Sequence, residues 1–139
     1  APNENCWVMA QARSLGLGRR SLGSRRQAGA ESAAVRQRLA RLIEVFGNNH
    51  LAEILGVSPS QPSRWKRGIE RIGAENARKV IDLDYVAARL LQVWEPEVAE
   101  IWLRSHNAHL GARPVDVLVL RGAAPVIDAI DAEAAGAYA

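Results

Sequence analysis

The chain has 139 residues, 48% of them apolar and 24% charged, a composition that suits one soluble globular domain with room for an extension. No stretch reaches the ~18 apolar residues of a membrane helix, and "CWVMA" is too short for a secretory signal and has no basic lead-in. Cys6 is the one cysteine, which excludes an intramolecular disulfide and a multi-cysteine metal site, so the expectation is a cytoplasmic protein without membrane contact.

The net charge of +3 hides an asymmetry. Residues 1–30 hold five arginines against one glutamate, residues 31–80 nine basic side chains against five acidic, and residues 81–139 four basic against nine acidic. A basic front suits a polyanion and an acidic back does not, so two surfaces for two partners is the simplest reading.

In chain order, residues 1–30 come first. Their "SLGLGRRSLGSRRQAGA" is rich in Gly, Ser and Arg and has no sustained period, which predicts a flexible basic arm. From Glu31 the pattern turns helical: Val35, Leu39, Leu42, Ile43 and Phe46 share one face, with Ser32 as candidate cap and Gly47 as the left-handed residue that ends the helix. A shorter helix follows, capped by Asn49, running through Leu55 and stopped by Gly56.

The stretch "LAEILGVSPSQPSRWKRG" then changes from apolar to polar and basic within 18 residues. A helix-turn-helix needs a small contact residue, a glycine in the turn and apolar clamps, and Ala52, Gly56, Val57 and Trp65 supply them. Ser58 would cap the second helix with Pro59 at its first position. Pro62 stands where such helices place a buried aliphatic residue. It has no N–H to donate, so either the helix starts late, with Ser60 as cap, or its first turn is distorted. The outer side would carry Ser58, Ser60, Gln61, Ser63, Arg64, Lys66 and Arg67, types suited to base edges and phosphates, and operator DNA is the partner they imply.

Residues 74–93 predict a long helix with the stripe Ala77, Val80, Ile81, Ala87, Ala88, Leu91 and Trp94, enough apolar surface to suggest a homodimer interface. Pro96 opens the next helix, with Val98, Ile101, Trp102 and Leu103, which breaks at "SHNAHLGA". "PVDVLVL" follows and ends at Gly122; its length leaves helix or strand open. Pro125 opens the last helix, "PVIDAIDAEAA", before "GAYA". With no strand alternation or hairpin turn elsewhere, the fold class expected is all-α. The expected division is an arm at 1–30, a helix-turn-helix region with the long helix at 31–93, and a small helical domain at 94–139. His106 and His109 lack further ligands for a metal, and no phosphate loop, nucleophile elbow or dinucleotide signature occurs. Neither an enzyme nor a cofactor is expected.

The run "WLRSHNAHLGARPVDVL" has a Trp-Leu pair followed by Asn, Leu-Gly and Arg-Pro-x-Asp-x-Leu, and a closing helix with a glycine at its end. In these features the chain resembles the Xre/MbcA/ParS-type antitoxins over residues 35–139, with His106 standing where the pattern often has proline. The resemblance implies an all-helical toxin-binding domain behind the helix-turn-helix, and a cognate toxin that carries an RES domain and destroys NAD. It implies repression of the antitoxin's own operon and a tail that reaches into the toxin's active-site cleft. Carried onto this chain, the tail is Gly136, Ala137, Tyr138 and Ala139, docked by Val126, Ile127 and Ile130 beside the acidic side chains of Asp128, Asp131 and Glu133. Trp102, Asn107 and Arg113 join the toxin-binding set. Trp94 and Trp102 have core packing as the alternative role, and Asn107 and Arg113 the clamping of a loop. The competing function is a dimeric helix-turn-helix regulator with no toxin.

Overall fold

Burial of one face of a long helix sets the arrangement. The computed structural model describes residues 32–136, so the arm expected at 1–30 and the tail residues Ala137, Tyr138 and Ala139 lie outside it. The packing below is that of the compact unit that begins at Val35, within the described residues. The described residues are helical throughout: α1 over 32–46, α2 Asn48–Leu55, α3 Gln61–Lys66, α4 Ala74–Leu90, α5 Pro96–Arg104, α6 Pro114–Arg121 and α7 Ala123–Gly136. Among them there is no strand, only an isolated antiparallel bridge between Asn107 and Ala112. No helix among them is long and apolar enough to cross a membrane.

Val35, Leu39, Leu42 and Phe46 of α1 are buried at the expected spacing. In α4 the buried set is Val80, Leu83, Val86, Ala87 and Leu90. Ile81, Ala88 and Leu91, expected in that stripe, point outward: at 3.6 residues per turn Ile81 and Ala88 sit nearly half a turn from the centre of the buried set and Leu91 roughly a quarter-turn. α4 packs on α2, α6 and α7; α6 also packs on α7 and α5. The expected division between 31–93 and 94–139 therefore does not separate: α4 belongs to the core of both segments.

Several boundaries differ from expectation for local reasons. Ser32 is already helical. Gly47, at φ 81° and ψ 157°, is not left-handed helical; it is the cap residue of α2, and its carbonyl accepts from Leu51 N–H. Asn49 is thus inside α2. Asn48 sends its side-chain amide forward to the Pro59 carbonyl at 2.6 Å, bracing the turn. Gly56 does take the left-handed conformation, φ 71° and ψ 35°, which a side chain would strain. Of the two accommodations open to Pro62, the late start holds. α3 begins at Gln61 with Ser60 in the cap position, so Ser58 and Pro59 belong to the turn, and buried Pro62 sits where its missing N–H has no intrahelical partner to lose.

"PVDVLVL" is helical: Pro114 pre-sets the first turn, and Asp116 and Arg121 complement the dipole at the two ends. α7 starts at Ala123, two residues before Pro125, which stays within the first turn.

Leu83→Ala is expected to cost roughly 2–5 kcal/mol of unfolding free energy, the range for a sealed leucine, whereas Ile81→Ala should cost below about 1 kcal/mol. Urea denaturation of both variants checks the assignment of the inner and outer faces of α4.

Candidate functional site

Two surfaces carry the side chains singled out in the sequence. The first surrounds α3. Trp65, 1% exposed, anchors the helix in the core and turns its polar side outward. Ser58, Ser60, Arg64, Lys66 and Arg67 are exposed and Ser63 is half-buried. Arg64, Lys66 and Arg67 make no ion pair with another described residue. Gln61 is half-buried, and its amide faces Glu70 at 3.4 Å, so it is the least available of the set. Arg36 of α1, which periodicity alone did not single out, extends the basic face. Its guanidinium lies 3.0 Å from where a Cβ on Gly68 would stand, and Gly68 has φ +74°, a conformation that favours glycine.

The second surface is built by α5, the following loop and α7. Asn107 is 7% exposed, and its side chain is fully engaged. Its amide donates to Glu133 Oε1 at 2.9 Å, its carbonyl oxygen accepts from Leu110 N–H at 3.0 Å, and its backbone pairs with Ala112 and Gly111. That side chain shapes the loop and ties it to the last turns of α7. Arg113 forms a bidentate pair with Asp116, at 2.9 and 3.1 Å. The hydrogen bonds and then the charge of Asp116 raise the pKa of Arg113 above its ordinary value. Trp102 is half-buried, its ring 5.8 Å from that of Trp94, and its buried indole nitrogen has no hydrogen-bond partner among the described residues.

α7 corrects one expectation. Val126 and Ile130 are fully buried and form part of the chain's own core, so they cannot face a partner; Ile127 is half-buried against that core. Apolar residues occupy most sides of α7, so the spacing of Val, Ile and Ala gave no sign of which side would be sealed. Asp128 and Asp131 stay exposed, Asp131 in an ion pair with Arg89 at 2.7 Å. Gly136 is the last residue of α7.

No spacing or motif in the sequence pointed to the seam between the two surfaces. His50 Nδ1 of α2 lies 2.8 Å from Glu100 Oε2 of α5, and Arg104 of α5 lies 2.8 Å from Glu53 of α2 and 3.4 Å from Glu100. The two pairs between the helices are 50 and 51 residues apart in sequence, and only the folded chain brings them together. Beside them a cleft of about 230 Å³ is lined by Glu53, Leu55, Lys79, Arg104, Arg113 and Val119, with most of its charges already paired. No group of three or more His, Cys, Asp or Glu able to hold a metal occurs among the described residues.

Comparison with known proteins bears on the second surface. Residues 78–136, from within α4 to the end of α7, match the family described as the antitoxin Xre/MbcA/ParS C-terminal toxin-binding domain. Over that segment the chain is similar to the antitoxins of the Xre/MbcA type. A chain of the crystal structure of the M. tuberculosis MbcT–MbcA toxin–antitoxin complex is similar at 28% identity with a TM-score of 0.59, covering 75% of this chain and 96% of that one. No curated protein matches. The family segment contains Asn107 and Glu133, the side chains that fix the root of the α7 end.

Asn107→Ala is expected to lower the protein's stability by about 1–3 kcal/mol, since it strands the Leu110 N–H and releases the loop. Asn107→Asp keeps the shape and the acceptor for Leu110 but replaces the donor to Glu133 with a second carboxylate, so it should also be less stable than the parent at neutral pH. Thermal melts of the two variants read both effects.

Proposed function

We propose that this chain is an antitoxin that binds and inhibits a cognate RES-domain toxin that degrades NAD, its residues 136–139 occluding the toxin's active site, and that it represses its own operon through α2 and α3 acting as a helix-turn-helix. The observation that carries the reading is the match of residues 78–136 to a toxin-binding domain. The exposed acidic groups Asp128, Asp131 and Glu133 along α7 suit a toxin cleft built for a phosphate-bearing substrate. On the other surface, the exposed Arg64, Lys66 and Arg67 around a buried Trp65 support contact with DNA phosphates and base edges, assisted by Arg36.

A homodimer fits the same picture, because operators present paired half-sites about one DNA turn apart. The outer face of α4 suits the second copy. Ile81, Tyr85 and Ala88 follow one another at helical spacing, bordered by the Arg41–Asp84 pair on one side and by Arg78–Asp82 and Arg89–Asp131 on the other. An apolar strip with charges of both signs at its rim is able to match itself across a two-fold axis.

Removal of residues 136–139 should abolish rescue of bacterial growth from the co-expressed toxin while leaving the melting temperature and operator binding unchanged. A truncated protein that still rescues growth would place inhibition elsewhere on α5 to α7. For the DNA surface, Arg64→Ala combined with Arg67→Ala should weaken binding to the promoter fragment by at least about tenfold, on the order of 1 kcal/mol or more for paired phosphate or base contacts. Toxin neutralisation should be retained. An unchanged gel shift from a folded double variant would remove α3 from the DNA interface, and a wild-type protein that binds DNA but no toxin would favour a plain dimeric regulator.

A further inference from the structure

Seven large hydrophobic side chains stand exposed among the described residues, and six of them fall within residues 78–136: Ile81, Tyr85, Leu91, Val98, Ile101 and Leu120. Exposed aliphatic side chains so concentrated mark surfaces that are covered in an assembly. They form more than one face. The α4 face has balanced charges at its rim and suits a second copy, as argued above. The α5 face differs in the charges beside it.

On α5, Ala99 and Leu103 point inward and are fully buried, which leaves Val98, 46% exposed, and Ile101, 65% exposed, one turn apart on the outer side. Half-buried Trp102 flanks them and stacks on Trp94, which extends the apolar strip to the corner before the helix. The exposed charges at the start of this strip are Glu95 and Glu97, and neither pairs with another described residue. The helix's own cation, Arg104, is drawn to the opposite flank by Glu53 and Glu100. Two copies meeting through this face would bring like charges together, which opposes self-association. A different protein with an apolar groove and a basic rim would be attracted to it.

We infer that the Val98–Ile101 strip of α5, with Trp102 at its edge, is the docking surface that gives the toxin its affinity, and that the toxin meets it with an apolar groove bordered by Lys or Arg. The inference rests on the toxin-binding reading and adds a division of labour to it: α5 holds the toxin while residues 136–139 block its cleft. The site lies on a rigid helix whose inner face is sealed in the core, so it is presented without prior ordering, which favours binding.

The test is the affinity of the full-length antitoxin for the RES-domain protein encoded in the same operon, measured by titration calorimetry. Val98→Glu combined with Ile101→Glu should weaken binding by about a hundredfold, since it sets two buried charges against an apolar groove. Val98→Ala combined with Ile101→Ala should weaken it by about tenfold. That milder pair keeps helix propensity and decides the matter if the glutamate variant melts early. Gln37→Glu, on the exposed side of α1 and outside every surface assigned above, should leave toxin affinity within about twofold. The tryptophan emission of the parent antitoxin should shift on complex formation, and that of a Trp102→Phe variant should shift less. Parent-like affinity in a folded alanine pair would overturn the inference while leaving the toxin-binding reading intact. Loss of the dimer with toxin affinity retained would assign the strip to a second copy and overturn it as well. A parent protein that binds no toxin would overturn the function and the inference together.

Discussion

The inner face of α4 is the constraint on which the compact unit depends. Val80, Leu83, Val86, Ala87 and Leu90 are sealed in one core with the buried side of α1, and α2, α6 and α7 pack on the same helix. A helix of 17 residues owes its stability in water mainly to such tertiary burial. The surface proposed for DNA and the surface proposed for toxin thus share a single hydrophobic core. α2 packs on α3, and Glu133 of α7 holds the Asn107 loop. Removing either cover would leave part of the same stripe facing water.

α5 shows how one short helix can serve three neighbours at once. Its inner residues, Ala99 and Leu103, close the core; Glu100 and Arg104 reach across to α2; Val98 and Ile101 remain for a partner. Each role falls on a separate angular sector, because the 3.6-residue period distributes successive side chains around the axis. Nine residues suffice for this because proline pre-sets the first turn and no side chain is needed to cap it.

Helices whose apolar residues recur with a clean period were legible in the sequence: α1, α2 and the anchoring of Trp65 follow from spacing and glycine placement alone. α4 was legible as a helix, yet its buried side was not. Its apolar residues occur on nearly every side, so spacing could not choose between Leu83 and Ile81. The same ambiguity hid the burial of Val126 and Ile130, for α7 is rich in apolar residues around most of its circumference, and only the packing against α4 and α6 shows which are inside. Pro62 was legible as a problem with two solutions, and the turn braced by Asn48 and Pro59 selects the late start. The clamp made by Asn107 was legible as a turn residue and not as a tie to Glu133, since a contact across 26 residues leaves no periodic trace.

The bond between α2 and α5 is of a different physical kind from the rest of the interior. It consists of His50, Glu53, Glu100 and Arg104, and the His50 and Arg104 side chains are 59% and 42% exposed. Charges that open to water interact within a Debye length of about 8 Å at physiological ionic strength and fade as salt is added. Apolar burial against α4 has no such dependence and is strengthened by strongly hydrated salts. A salt titration of DNA binding by this protein would therefore report two processes at once: the release of counterions from the phosphates, and a loosening of the seat on which α2 and α3 rest. The slope of log affinity against log salt would overcount the phosphate contacts unless the same series were repeated with Arg104 and Glu53 both replaced.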